Sequence, residues 1–438
     1  MIPVDTLLAR RQTEDRPVRL GLVGAGFMAK GLVNQVVNST PGMQLTVVCN
    51  RTPAKAFDIL TQAGAQPAAA ESPADVDRIA AAGGVAVTDD VAVLTGAGAV
   101  DVVVDATGAV AFGAELALAV IAAGKHLVLL NAEVDATLGP LLVTKADAAG
   151  VVYSGADGDQ PGVQMNLIRF VRQIGLTPLV AGNIKGLQDP YRTPTTQQGF
   201  AERWGQDPWM VTSFADGTKV SVEQALVANA AGFSVHRRGM LGRDHRGHVD
   251  ELTELYDVDE LRSLGGAVDY VVGSQPGPGV YVLGTHDDPA QRHYLELYKL
   301  GTGPLYSFYT PYHLCHFEVP VTVARAALLG EATIRPDGAP RVDVVTVAKT
   351  DLPAGTVLDA PGGYHYYGEA EKAEVTHADR VLPLGIAEGA RLLRAVVKDE
   401  LIGYADVELP AGRLVDRLRA EQDTMFFGSA AATGPAAS

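Results

Sequence analysis

The residues able to do chemistry concentrate in the middle of the chain. Asn183-Ile184-Lys185-Gly186-Leu187-Gln188-Asp189-Pro190-Tyr191-Arg192 sets a lysine, a carboxylate and an arginine among glycine and proline. That composition suits a shaped loop better than a helix. Hydride addition to a carbonyl creates an alkoxide, which a fixed ammonium stabilises or protonates while a neighbouring carboxylate holds the ammonium in place. Lys185 is the first candidate for the acid, Asp189 for its partner and Arg192 for a substrate contact. Lys219, in Asp216-Gly217-Thr218-Lys219, is the rival. It leads into VSVEQALVANA, where Glu223 and Asn229 are further substrate candidates. The bland alternative there is helix capping, with Thr218 or Ser221 as the cap and no catalytic role.

Three other clusters carry weaker signals. Asp157 and Asp159 in GADGDQPG are paired carboxylates suited to a divalent ion that would chelate a hydroxyketone, or equally to a solvated turn. His313, His316 and Glu318 have H-x-x-H-x-E spacing; His313 is taken as a substrate contact, and a zinc site is the less favoured reading. HRRGMLGRDHRGH gathers Arg237, Arg238, Arg243 and Arg246 with three histidines, which suits either a substrate phosphate or a solvated basic loop.

Such groups need a cofactor and a frame. Gly24-Ala25-Gly26-Phe27-Met28-Ala29 fits G-x-G-x-x-G/A, follows the apolar run RLGLV and opens a helical stretch. Gly24 permits the tight turn, Gly26 lets a pyrophosphate approach the backbone, Ala29 allows close helix packing, and the first helical residues, Phe27 and Met28, offer free N–H groups. The second strand ends in Asn50-Arg51-Thr52, with an arginine where NAD-preferring sites place a carboxylate, so NADP(H) is favoured over NAD(H). Thr107 and Gly108 end the VVVDATG strand and Asn131 ends LLNAE, on the edge where a nicotinamide ribose would lie.

Short Val- and Leu-rich runs separated by Ala-rich helical stretches predict a doubly wound parallel sheet, an N-terminal Rossmann α/β domain over residues 1–157. An α+β substrate and dimerisation domain is expected over 158–335, a small β-rich domain over 336–425 and a mobile tail over 426–438. The stretch from Gln66 to Ala82 reads as either helix or insertion loop. Hydrophobic residues at 47% and charged residues at 20% mark a globular chain, and a net charge of −16 disfavours nucleic acid and anionic membrane as partners. Two cysteines and an N-terminus without an apolar core point to a reducing, cytoplasmic setting.

The VDATG and LLNAEVD segments resemble the cofactor domain of homoserine dehydrogenases, with Asn131-Ala132-Glu133 where that family usually carries an Asn-Lys pair. Over most of the chain, GADGDQPG, GNIKGLQDPYRTP, SFADGTKVSVEQALVANAAG, YTPYHLCHFE and AKTDLPAGTVLD are similar to homoserine-dehydrogenase-like oxidoreductases ending in a SAF (antifreeze-like) domain. The resemblance implies NADP(H)-dependent chemistry on a small hydroxy-carbonyl or sugar-phosphate-like substrate, of which deoxyxylulose-phosphate reductoisomerase activity is the sharpest form. Two alternatives stand beside it: a dehydrogenase of another polyol, sugar acid or specialised metabolite without isomerisation, and a non-catalytic cofactor sensor. The expected partners are a small molecule and further copies of the chain in a homo-oligomer; a divalent metal is an open cofactor.

Overall fold

The computed structural model describes residues 3–428. Seven parallel strands form the first sheet: β1 (Val18–Val23), β2 (Met43–Cys49), β3 (Pro67–Ala69), β4 (Val85–Thr88), β5 (Val102–Asp105), β6 (His126–Leu129) and β7 (Tyr153–Gly155). Their order is β3-β4-β2-β1-β5-β6-β7, so the chain reverses direction across the sheet at β1. The fold is a Rossmann-type doubly wound α/β sheet, and a crevice opens where neighbouring connections leave β1 and β5 to opposite faces. The strands lack alternation because both faces are covered: β4 and β5 are buried at every position. The Gln66 to Ala82 stretch resolves into the exposed edge strand β3 and the helix Pro73–Ala81, whose start Ser72 caps. A three-residue edge strand beginning with proline carries almost no apolar pattern, which is why it was illegible.

The second sheet is mixed, in the order β12-β11-β8-β10-β9, built from β8 (Thr177–Lys185), β9 (Arg243–Asp244), β10 (Ala267–Val272), β11 (Gly279–Thr285) and β12 (Leu305–Thr310). β8 is central, pairing with parallel β10 through Lys185 and with antiparallel β11. The helices Gln160–Gln173 and Thr218–Ala231 pack on this sheet. The helix Cys315–Leu329 returns to the first domain, where Val319, Val323 and Ala324 join the core beneath the helix Phe27–Ser39. Where the two helices cross, a Cβ on Gly31 would stand 2.6 Å from the His316 ring.

The C-terminal section holds the antiparallel pair β13 (Val342–Ala348) and β14 (Tyr366–Lys372) and the short pair β15 (Arg391–Leu392) and β16 (Val407–Glu408). The helix Leu414–Phe427 then closes back on the first domain: Gln422 bonds Leu141 and Thr137, and Arg419 pairs with buried Asp343. That helix carries the chain through Phe427 and ends at Gly428, so residues 426 and 427 of the expected tail are helical, while 429–438 lie outside the described residues. Among the described residues no helix is long and apolar enough to cross a membrane.

Candidate active site

The dinucleotide loop has the geometry its sequence requires. Gly24 sits at φ +110°, where a Cβ would lie 2.9 Å from the Ala106 carbonyl oxygen, so both conformation and space demand glycine. Gly26 is different: a Cβ there would meet nothing within 4 Å, which leaves open space in front of the helix Phe27–Ser39. That helix starts without a side-chain cap, and its first N–H groups remain free for an anion. The fit to a pyrophosphate is therefore good. Phe27 is exposed beside this space, and Met28 is half-buried. At the end of β2, the Asn50 side chain donates to the Thr52 carbonyl and shapes the turn on which Arg51 stands exposed.

Asn131 departs from expectation. It is fully buried as the cap of the helix Ala132–Ala149, and its amide donates to Asp105, Thr107 and the Ala109 carbonyl. It orders the 105–109 loop and does not face a ligand. Thr107 donates to Asp105, whose carboxyl burial pushes up to about 6 against those hydrogen bonds. Gly108 remains exposed on the cleft side, facing the Met210 methyl.

Across the cleft, four elements converge. β8 ends with Asn183 and Lys185 on one face; the helix Thr218–Ala231 carries Lys219 and Glu223 one turn apart; the helix Gln160–Gln173 begins at Asp159 and Gln160; and the first turn of the helix Ala132–Ala149 brings Glu133. Lys219 Nζ lies 3.1 Å from Glu133 Oε1, both side chains about 10% exposed. Burial lowers the affinity of Lys219 for its proton, but Glu133, Asp159 and Glu223 together outweigh burial and hold the ammonium above its ordinary value. Asn183 donates to Glu223 Oε2 at 2.8 Å and to Gln160, and accepts from Gln164 at 2.6 Å. Gln160 in turn meets His313 Nε2 at 3.2 Å.

Lys185 and Glu223 are the perturbed pair. Burial pulls Lys185 down to about 8, against the charges of Glu223 and Asp216, while its ammonium donates to the Phe214 carbonyl at 2.7 Å. Burial and the neighbouring Asp159 push Glu223 up, against Lys219 and Lys185. One cationic and one anionic group thus both move toward neutrality at neighbouring positions, with no direct ion pair between them. Cys315, 3.6 Å from His313 Nδ1, has its thiol pushed far up by burial, then by Asp159 and Glu223, and is no thiolate nucleophile.

Several expected residues lie elsewhere or have other partners. Asp189 does not hold Lys185; it pairs with Arg192 at 3.0 Å, a local i,i+3 contact that also occupies Arg192. Asn229 is buried and bonds the backbone of Arg341 and Val342, fastening β13. Thr218 and Ser221 do not cap their helix: their hydroxyls bond both backbone groups of Gly368 in β14. Asp157 is buried, with one oxygen accepting from Asn166 and the other from Thr322 and Thr333, so its carboxylate is tied into the protein core, whereas Asp159 carries no cap bond and is half-buried in the cleft. Among the described residues, no three His, Cys, Asp or Glu side chains converge as a metal site. The basic loop is dispersed: Arg237 donates to the Met240 and Leu241 carbonyls, Arg238 pairs with Glu369, and Arg243 lies over the Tyr256 ring. Glu133, Gln160, Asn183 and Gln164 were the residues missed as site members; only Glu133 gave a signal, as an acidic residue in the first turn after a Rossmann strand.

Residues 24–154 match the family model of the homoserine dehydrogenase NAD binding domain, and residues 158–319 match that of the oxidoreductase DRL catalytic domain. No curated protein matches the chain. Among solved structures, the oxidoreductase yvaA of Bacillus subtilis is 16% identical with a TM-score of 0.28, over 40% of this chain and 45% of that one, so the likeness spans under half of that protein. GenD2 from gentamicin A biosynthesis, solved with NAD, is 16% identical over 72% of this chain and 87% of its own, at a TM-score of 0.36. The WlbA dehydrogenase of Bordetella pertussis, solved with NADH and UDP-GlcNAcA, is 17% identical over 49% and 58%, at 0.33. A dinucleotide loop, a match to an NAD-binding domain and a match to an oxidoreductase catalytic domain stand in series along the chain, the domain set of an NAD(P)-dependent oxidoreductase.

Proposed function

We propose that the chain interconverts a hydroxyl and a carbonyl on a small polyhydroxylated substrate, with NADP(H) as the preferred cofactor. A nicotinamide dinucleotide, when bound, gives or takes the hydride. Lys185 delivers or removes the proton at the substrate oxygen, and Glu223 is the neighbour that exchanges that proton with it. Lys219, locked to Glu133, supplies a permanent positive charge, while Asp159, Gln160 and His313 are placed to meet substrate hydroxyls. The observation that carries this reading is the hydrogen-bonded chain from Glu223 through Asn183 and Gln160 to His313, with Lys219 paired to Glu133 and Lys185 on the same face of β8 as Asn183. Exposed Arg51 supports the NADP(H) preference, since its guanidinium can pair with a 2′-phosphate.

Deoxyxylulose-phosphate reductoisomerase activity is the most specific form, supported by the resemblance over the central segments. The dispersal of Arg237, Arg238 and Arg243 favours instead an unphosphorylated polyol or sugar acid, handled without isomerisation. The SAF-like reading of the C-terminal section and homo-oligomeric assembly belong to the same proposal. The test is NADPH and NADH absorbance with deoxyxylulose 5-phosphate, homoserine, unphosphorylated polyols and hydroxy acids. Turnover of a polyol or hydroxy acid with NADP(H) is the expected result; dinucleotide binding with no turnover across the panel would favour the sensor.

A further inference from the structure

Lys349 stands immediately after β13, in the C-terminal section beyond both matched segments. Its side chain is 2% exposed, and its ammonium donates three bonds of 2.8 Å: to the Arg192 carbonyl, to Asp216 Oδ2 and to the Gly363 carbonyl. A buried ammonium is tolerated only when its donors are satisfied, and here the three acceptors come from three separate segments. Arg192 closes the loop that leaves β8 at Lys185. Asp216 precedes the helix of Lys219 and Glu223, and its other oxygen accepts the Thr218 N–H at 2.9 Å. Gly363 belongs to the C-terminal section itself.

Contacts beside Lys349 hold the same region. Tyr364 meets Thr195 Oγ1 at 2.9 Å and sets its ring edge-on to Trp209. Gly362 packs so closely that a Cβ would lie 2.2 Å from the Trp209 carbonyl oxygen. Trp209 sits on the helix Pro208–Ala215, which presents the Phe214 carbonyl to Lys185 and the Met210 methyl to Gly108. This short helix therefore touches the proton-handling lysine and the cofactor-side loop at once.

We propose that Lys349 is a positioning residue through which the C-terminal section completes the active site, fixing the loop behind Lys185 and the turn ahead of Lys219 with one buried ammonium. The consequence for catalysis rests on the roles given to Lys185 and Lys219, but the positioning itself is measurable without a substrate. In full-length Lys349→Met, hydrogen exchange over residues 187–217 should accelerate at least tenfold while 18–155 exchanges as in the parent. NADPH affinity by fluorescence should stay within twofold. Acetic anhydride labelling of Lys185 at pH 7, read by mass spectrometry, should rise at least threefold as the Phe214 carbonyl drifts from its ammonium; Lys349→Arg should recover at least half of that change. A folded Lys349→Met with parental exchange over 187–217 and parental Lys185 labelling overturns the proposal. Should Lys349→Met fail to fold, Tyr364→Ala at its exposed position should speed exchange over 194–215 at least threefold, and parental exchange there overturns it equally. Normal turnover in Lys185→Met would sink the proton-transfer reading while leaving these exchange results untouched.

Discussion

Asp135 lies two residues past Glu133 on the same helix, 1% exposed, with one carboxylate oxygen lacking any partner. Burial pushes its carboxyl up to about 7; the Tyr153 hydroxyl offsets a little of this but completes no hydrogen bond. An unfolded aspartate titrates near pH ~3.9, so between about pH 4 and 7 the folded state keeps a proton that the unfolded state has lost. Stability must therefore fall as pH rises through that window and level off above it. At 2.303RT per pH unit, the whole window is worth about 4 kcal/mol, more than half of it between pH 5 and pH 8. Asp135→Asn removes the ionisation and keeps the shape. In urea denaturation followed by circular dichroism, the variant should gain about 2 to 3 kcal/mol on the parent between pH 5 and pH 8. Hydrogen exchange across 132–149 should show the same widening gap. Parallel stability profiles in parent and variant would refute the reasoning, because they would mean that Asp135 titrates alike folded and unfolded.

Lys185→Met should lower turnover by about 10² to 10⁴ with cofactor affinity nearly unchanged, and Lys219→Met, assayed alongside, identifies the acid if it alone is impaired. Arg51→Glu should weaken NADPH relative to NADH by about 1 to 3 kcal/mol in fluorescence titrations; an unchanged ratio removes Arg51 from the 2′-phosphate site. Gly26→Val fills space that the protein leaves open, so its melting temperature should stay close to the parent's while dinucleotide binding is lost. Arg419→Met strands Asp343 beneath the last helix and should cost about 3 to 5 kcal/mol in urea denaturation, whereas a loss under 1 kcal/mol would show that the pair contributes no more than a surface contact.

The cofactor half was legible because its signals are local. A glycine pair after an apolar run, opening a helix, fixes turn, backbone approach and helix dipole within six residues, and apolar runs without alternation imply a sheet covered on both faces. Even there Asn131 misled, since strand-end position cannot distinguish a side chain facing a ligand from one buried as a cap. The substrate half was legible only as an inventory. Lys185, Lys219, Glu223, Asp159 and His313 were chosen from their composition and lie near one another, but the partner assigned to Lys185 was wrong: Asp189 is near in sequence and turns to Arg192, while the Lys185 ammonium donates to the Phe214 carbonyl.

What the sequence by itself determined was the kind of elements present, the dinucleotide loop and the residue types available for proton transfer, all set by short-range sterics and hydrogen-bonding capacity. Tertiary structure alone decided which of those residues are desolvated together. The shifts of Lys185 and Glu223, the Lys219 and Glu133 pair, and the reach of Lys349 from the C-terminal section into the turn at Asp216 depend on burial and on charges brought from segments distant in sequence. Desolvation is a property of the whole packed surrounding, and no window along the chain contains it.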